Sequence, residues 1–266
     1  MKKKIEVSGD LKEKIGLMFV LIIEIAIFSF MNGNYFSAAN AKNILVSSSL
    51  TGLVAIAETY QIIATSIDMS TGSVAAFSGV FAAMLLNKGM NPVATLLFAL
   101  VAGGIVGVIN GVFVTKLKIE PFITTLATME IIRGFAYIIC DGKAVYISDD
   151  FFINLGSYQI LGFLSIPVLV LIISFIIFGI VLKRTCLGRS VYVLGGNKYA
   201  ARLAGLKPNT IILKMFIISG VLSALGGVFL AARMNSGQPS ACDNLAFDGV
   251  TAAVLGGTAF SGGVGT

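Results

Sequence analysis

The residue types that most often do chemistry are sparse in this chain of 266 residues. There is no His, which removes the commonest general base and metal ligand. Cys140, Cys186 and Cys242 stand far apart with no CxxC spacing, so neither a zinc site nor a disulfide framework is indicated. What remains is a handful of ionisable residues inside apolar runs: Glu24, Glu58, Asp68, Glu130, Arg133 and Asp248. Such groups are costly in a membrane and normally face a cavity or one another. Glu130 and Arg133 are three apart, so on a helix they could neutralise each other on one inward face. The functional reading places Glu58 or the Glu130–Arg133 pair on a hydrophilic path. The plainer and preferred reading has Glu130 merely pairing Arg133, with Glu24 and Glu58 near the membrane interfaces.

Two stretches interrupt the apolar runs. In the first, Thr65, Ser66, Ser70, Thr71 and Ser73 crowd hydroxyls around Asp68, with Gly72 among them, between two rather short apolar segments. Asp68 or Ser70 there suits an N-cap that accepts from the free amides of a new helix. Inside a membrane, a broken helix is tolerated only where protein or a water-filled path surrounds it, and transporters aim such breaks at cargo. A plain capped turn is an equal alternative. The second stretch runs from Gly195 to Pro208. Asn197 can cap a short helix, Gly205 can turn left-handed just past its end, and Pro208 stops further winding. Tyr199 and Leu203 share a face of that helix, which at about two turns is marginal alone. It must lie on the membrane surface or in a groove of a partner protein; taken alone, the residues slightly favour the membrane surface.

The elements that position these residues follow from composition. The chain is 56% hydrophobic and 12% charged, about half the charge of an ordinary soluble domain. A bilayer core of about 30 Å takes roughly 20 apolar residues as helix. Residues 93–115, 160–182 and 215–232 contain no charge, and 15–31, 44–65 and 73–87 hold at most one acid each. Residues 122–140 carry Glu130 and Arg133, and 245–261 carry Asp248. The expected fold is all-α, a polytopic transmembrane bundle of about eight segments forming one domain. The first segment follows Lys2, Lys3 and Lys4 but has no convincing cleavage site, so it is kept as a helix.

If the segments alternate, three basic stretches fall on one side. They are Lys2 to Lys14, the pair Lys116 and Lys118, and an acid-free run from Lys183 to Lys214. The excess of Lys and Arg assigns that side, and the N-terminus with it, to the cytoplasm. Residues 32–43, 141–159 and 235–244 then face outward. The net charge of +6 is a topology signal, and nucleic-acid binding explains it poorly. Ala99, Gly103, Gly107 and Gly111 recur every four residues, and Gly220, Ser223, Ala224 and Gly227 repeat the pattern. Such stripes let helices approach closely in lipid; internal packing is preferred over a specific dimer contact.

The same residues carry a family resemblance. Ile67-Asp68-Met69-Ser70-Thr71-Gly72-Ser73 is similar to the IDLSVGS motif of the ribose-type permease subunits of bacterial ATP-binding-cassette importers. Leu194-Gly195-Gly196-Asn197, followed by Ala200-Ala201-Arg202-Leu203-Ala204-Gly205, resembles their LGGN…AA-R-L-GI loop. Gln238-Pro239, then Ala252 to Thr258 with Ser261-Gly262-Gly263, is similar to their QP…AAVVLGGTS..GG block, and Pro121-Phe122-Ile123 with Arg133-Gly134 fits the helix between. The motifs run in order along essentially the whole chain. Glu58 stands where the family usually has a small residue, and Glu130 where it tends to be aliphatic. The family continues for about two more helices, about ten in all, so the chain reads as C-terminally abbreviated after Thr266.

The resemblance implies a monosaccharide permease, for a ribose-like pentose or related sugar, that works as a dimer with a second copy or a close homologue. An extracytoplasmic sugar-binding protein delivers cargo, and a cytoplasmic ATP-binding subunit holds ATP and Mg. No GxxxxGK[ST] phosphate loop occurs here, so ATP chemistry is expected in trans and this chain binds no cofactor itself. Residues 183–210 become a cytoplasmic coupling loop, with Gly195, Gly196, Asn197, Ala200, Ala201, Arg202, Leu203 and Gly205 meeting the ATPase. Asp68, Ser70, Gly72, Ser73, Glu58, Glu130 and Arg133 are the candidates for a translocation path or broken helix. The expected location is the bacterial inner membrane, multi-pass and in contact with lipid. Alternatives are the same architecture carrying a furanosyl signalling molecule, a nucleoside or an amino acid, and an ion-driven secondary carrier.

Overall fold

The computed structural model describes residues 9–160, 162 and 164–265, with side chains described from residue 15 onward. The Lys2–Lys4 run lies outside the described residues, as do the side chains of Lys12 and Lys14. The chain divides into two compact units between Leu45 and Val46. In the first, helix α1 (Gly9–Met31) runs into a turn and then the start of α2 (Ala38–Ile63). Asn40 fixes that turn by donating from Nδ2 to the Tyr35 carbonyl at 2.8 Å, while the Tyr35 ring stacks on Phe28.

The second unit is a helical bundle whose helices begin where the sequence marks them. They are α3 (Thr71–Asn87), α4 (Pro92–Thr115) and α5 (Pro121–Ile139), a short β1 (Val145–Tyr146) and α6 (Asp150–Ser157). There follow a hairpin of β2 (Gln159–Ile160) and β3 (Leu164–Ser165), then α7 (Ile166–Arg184), α8 (Cys186–Gly196) and α9 (Lys198–Leu203). The chain continues through α10 (Pro208–Met234), β4 (Ser236–Gly237) and α11 (Leu245–Leu255). Proline opens α4, α5 and α10, where its missing N–H costs nothing and its fixed φ suits the first turn. Asn91, Glu120 and Asp149 cap α4, α5 and α6 by accepting from amides in the first turn.

Helix α10 is the central post, buried along most of its length between α4 and α3. The two glycine stripes explain its closeness to α4. A Cβ on Gly103 would strike the Gly220 carbonyl, and one on Gly107 would strike that of Phe216. The small-residue rows therefore face each other within one molecule, as internal packing. The opposite faces of α4 and α7 expose Leu97, Phe98, Val101, Ile105, Ile173, Phe175, Ile176 and Ile180, apolar surface that only lipid or another apolar partner can cover.

The bundle has two ends. One holds the end of α2, the α4–α5 turn, α8, α9 and the turn at Gly262 and Gly263, where the Gly263 amide donates to the Ile63 carbonyl at 2.9 Å. This basic end gathers Lys116, Lys118, Lys183, Arg184, Lys198, Arg202 and Lys207. At the other end β1 pairs antiparallel with β4, Val145 opposite Gly237, and Asn87 at the close of α3 reaches the Tyr146 carbonyl at 3.0 Å.

Four described helices, α4, α5, α7 and α10, are long and apolar enough to cross a membrane. The segment expected over 245–261 differs from a full span. Its helix is only 11 residues, about 16 Å at 1.5 Å per residue, and irregular backbone flanks it at both ends. The basic stretch expected to hold one short helix holds two, α8 and α9.

Gly103→Val is expected to drive a branched side chain into the α10 backbone and cost about 3 kcal/mol or more. Gly134→Ala, where a Cβ meets nothing within 4 Å, is expected to be neutral or stabilising by about 0.5–1 kcal/mol. Detergent-solubilised monodispersity and melting temperature distinguish the two.

Candidate functional site

The break between α2 and α3 is built around Asp68. Its Oδ1 accepts from the Ser70 amide at 3.0 Å and the Ser70 hydroxyl at 2.6 Å, and its Oδ2 accepts from the Ser219 hydroxyl of α10 at 2.7 Å. Ser70 is tied to α4 in turn, because Asn110 Nδ2 donates to its Oγ at 2.9 Å. The Met69 amide donates to Thr125 Oγ1 of α5 at 3.1 Å, and the Asp68 amide donates to Glu58 Oε2 of α2 at 3.4 Å. One short irregular segment thus holds four helices to itself. All of these side chains are buried, so each unmade bond would leave a polar group without water.

Local geometry explains the neighbouring residues. Ser70 occupies the N-cap position of α3 but caps no amide with its side chain; its hydroxyl is committed to Asp68. The expected cap by Asp68 or Ser70 is replaced by this Asx-type turn, in which a short polar side chain bonds the backbone two residues on. Gly72 has no room for a Cβ because the Cys242 carbonyl lies against it. Ser73 is fully buried, and its Oγ, with Thr71 Oγ1, Glu58 Oε1, both polar atoms of Gln61 and Asn110 Oδ1, has no protein partner. These unspent donors and acceptors cluster in sequence around the break, on α2, α3 and α4.

The Glu130–Arg133 pair that spacing suggested does not form, and Glu58 is wholly buried against the break. Glu130 is exposed, and the Arg133 guanidinium turns the other way. Its Nη1 donates to the carbonyls of Pro239 and Ala241, both at 2.6 Å, and its Nη2 meets Asp243 Oδ1 at 2.9 Å. Arg133 therefore clamps the irregular segment between β4 and α11, whose backbone carbonyls have no ladder partner and need a multidentate donor. That segment descends from the β1–β4 end to lie against Gly72, so clamp and break are neighbours in the fold.

At the basic end, Asn197 Oδ1 accepts from the Tyr199 and Ala200 amides, both at 2.9 Å. Gly205 sits at φ 78°, and Pro208 opens α10. The loop residues separate into two groups. Gly195 is packed so tightly on the Ile63 carbonyl that a Cβ would overlap it, and Ala201 is buried. Gly196, Asn197, Ala200, Arg202, Leu203 and Gly205 are exposed. Tyr199 and Leu203 stand 71% and 73% exposed, an apolar pair with nothing upon it. Tyr192 of α8 donates from its hydroxyl to the Gly265 carbonyl at 2.7 Å, and partial burial raises its pKa above the ordinary phenol value.

Ser219 and Asn110, with Thr125 and Asp243, complete the site. Asn110 and Ser219 are uncharged polar residues within apolar runs and were not singled out in the sequence. Such a residue at a buried helix position needs a partner, and that signal would have found both.

With this geometry in view, the molecule is a multi-pass helical membrane protein organised around a broken helix. Residues 40–266 match the family described as branched-chain amino acid transport system / permease component, and the chain belongs to that family. It is a transport permease subunit. It is 36% identical over 251 residues to an L-arabinose ABC transporter permease protein of Azospirillum brasilense, covering 94% of this chain and 74% of the relative. The ribose import permease protein of Haemophilus influenzae is 38% identical over 249 residues, 92% of this chain and 77% of the relative. The D-allose transport system permease protein of Escherichia coli is 36% identical over 255 residues, 95% and 78% of the two chains. No solved structure matches.

Arg133→Leu is expected to free the Pro239–Asp243 segment and cost about 2–3 kcal/mol through the orphaned carbonyls, seen as new proteolytic cleavage within residues 238–244. Glu130→Leu, an exposed change with no partner lost, is expected to stay within about 0.5 kcal/mol and leave the cleavage pattern unaltered.

Proposed function

We propose that this chain is the translocating subunit of an ATP-binding-cassette importer for a monosaccharide, a ribose-like pentose or a related sugar, in the bacterial inner membrane. The observation that carries the reading is the match along nearly the whole chain to permeases named for arabinose, ribose and allose. The family description names branched-chain amino acids. The sugar assignment rests on these relatives and on a break rich in buried hydroxyl, amide and carboxyl groups, the chemistry that pairs with sugar hydroxyls.

The basic end faces the cytoplasm in this reading, with the N-terminus on the same side. The exposed Tyr199–Leu203 face of α9 is the part that seats in a groove of the ATP-binding subunit. A second permease, identical or closely related, completes the path, and an extracytoplasmic binding protein supplies the sugar. The whole chain acts as one permease domain, with residues 183–210 as its coupling loop. ATP binding to the partner favours one arrangement of the helices over another, so the force transmitted through α9 is a difference in affinity between two states. The α8–α9 region is suited to this because Gly195 packs α8 directly on the end of α2, the helix that leads into the break. Asp68, Ser70, Gly72, Ser73 and Glu58 then line or shape the path, and Arg133 holds its flanking segment.

The test is ATP-driven uptake in proteoliposomes holding the permease with its ATPase and binding protein. Labelled ribose, arabinose and allose are compared with leucine and adenosine. Uptake of a sugar is expected, falling about tenfold or more in Leu203→Asp through lost ATPase association while membrane insertion is kept. Uptake that persists without the ATPase would make the chain a secondary carrier, and uptake of leucine or adenosine alone would remove the sugar assignment.

A further inference from the structure

The basic end contains a cavity of about 400 Å³ beside the coupling loop, whose Lys198 and Arg202 help to line it. Its wall is assembled from four separate places: the end of α2 with Ser66 and Thr65, the α4–α5 turn with Thr115 and Lys118, helix α9 with Lys198 and Arg202, and the first turn of α10 with Asn209. Three cations line it against a single acid, Glu120. That acid is already engaged, because its Oε2 accepts from the Ile123 amide at 3.2 Å and caps α5. Among the described residues none of the three cations forms an ion pair. The three cations are exposed, and together they raise a positive potential in the hollow that attracts an anion.

The backbone adds a second, independent observation. Thr65 and Lys118, which both line the cavity, hold left-handed conformations, φ 60° and 58°. Neither is Gly or Asn, the residues that adopt this region readily, and strained positions of this kind concentrate at ligand sites. The Ser66 hydroxyl and the second amide N–H of Asn209 supply neutral donors beside the cations, whereas the Thr65 and Thr115 hydroxyls already donate to the Ala64 and Gly111 carbonyls. The volume lies in the range of small-molecule sites. Lys198 and Arg202 are four apart on α9 and line the cavity while staying exposed to solvent, and Tyr199 and Leu203 are exposed on the adjoining face.

The geometry points to a binding site for a phosphate ester at the basic end, held by Lys118, Lys198 and Arg202 and bracing α9 against the α4–α5 turn. The phosphate belongs either to a soluble phosphate ester or to an anionic lipid headgroup reaching in from the bilayer edge. Occupancy fixes the face of α9 that adjoins Tyr199 and Leu203, about 100° round the helix. The binding site itself stands whether or not α9 engages an ATPase.

Binding is measured on the purified full chain without any partner. In one arm, sn-glycerol 3-phosphate is titrated by calorimetry into protein in phosphatidylcholine nanodiscs. In the other, native mass spectrometry counts phosphatidylglycerol retained from mixed phosphatidylcholine and phosphatidylglycerol discs. Saturable binding in the first arm identifies a soluble ester; retention in the second alone identifies a headgroup. In whichever arm binds, Lys118→Gln and Arg202→Gln are each expected to weaken it about tenfold, the worth of one charge-assisted hydrogen bond. Lys88→Gln, the same charge loss at the other end of the bundle, is expected to leave it unchanged. Melting temperatures of the variants confirm that the fold is kept. Absence of binding in both arms, or binding equally affected by Lys88→Gln, would overturn the site.

Discussion

A carboxyl group enclosed by helices with no cation beside it is tolerable only when donors reach both of its oxygens, and those donors must come from whatever surrounds it. Asp68 draws them from its own turn and from α10, through the Ser70 amide and hydroxyl and the Ser219 hydroxyl. Because Ser70 is itself held by Asn110, and the next amide by Thr125, satisfying one acid fixes α3 against α4, α5 and α10 together. The remaining features of the bundle accommodate this knot. The glycine rows bring α4 and α10 close enough for Asn110 and Ser219 to reach the same turn. Gly72 leaves room for the Cys242 carbonyl, and Arg133 holds the segment that carries it.

Most of the helices, and the helix punctuation by Asn197, Gly205 and Pro208, were legible from residue type and spacing alone. So was the internal packing of the small-residue stripes. The site was legible in its centre and obscure at its edges. Asp68 among hydroxyls announced a break, yet which atoms it would bond depended on Ser219, a residue 151 positions away, and local pattern carries no information at that range. Arg133 illustrates the same limit. Spacing offered Glu130 three residues away, and helical geometry permits that pair, but two unladdered carbonyls and Asp243 from a distant loop compete for the same guanidinium and win.

Segment 245–261 shows a different failure. Its hydropathy alone predicts a span, whereas Gly256, Gly257, Gly262 and Gly263 end the helix early, three of them in left-handed conformations. Length of apolar run measures compatibility with lipid, and glycine content decides whether that run stays helical. The Tyr199–Leu203 pair was found by spacing and stands exposed in the structure; that Lys198 and Arg202 beside it share a cavity with Lys118 emerged only from the fold.

The central claim is that Asp68 and Ser219 are energetically one unit joining α3 to α10. A double-mutant cycle of Asp68→Ala and Ser219→Ala, read by denaturant unfolding in detergent micelles, tests it most directly. The account predicts that the double variant loses at least about 1 kcal/mol less than the sum of the single losses, the coupling of residues in one buried network. Strictly additive losses would mean that the two residues do not share the bond on which this architecture is argued to depend.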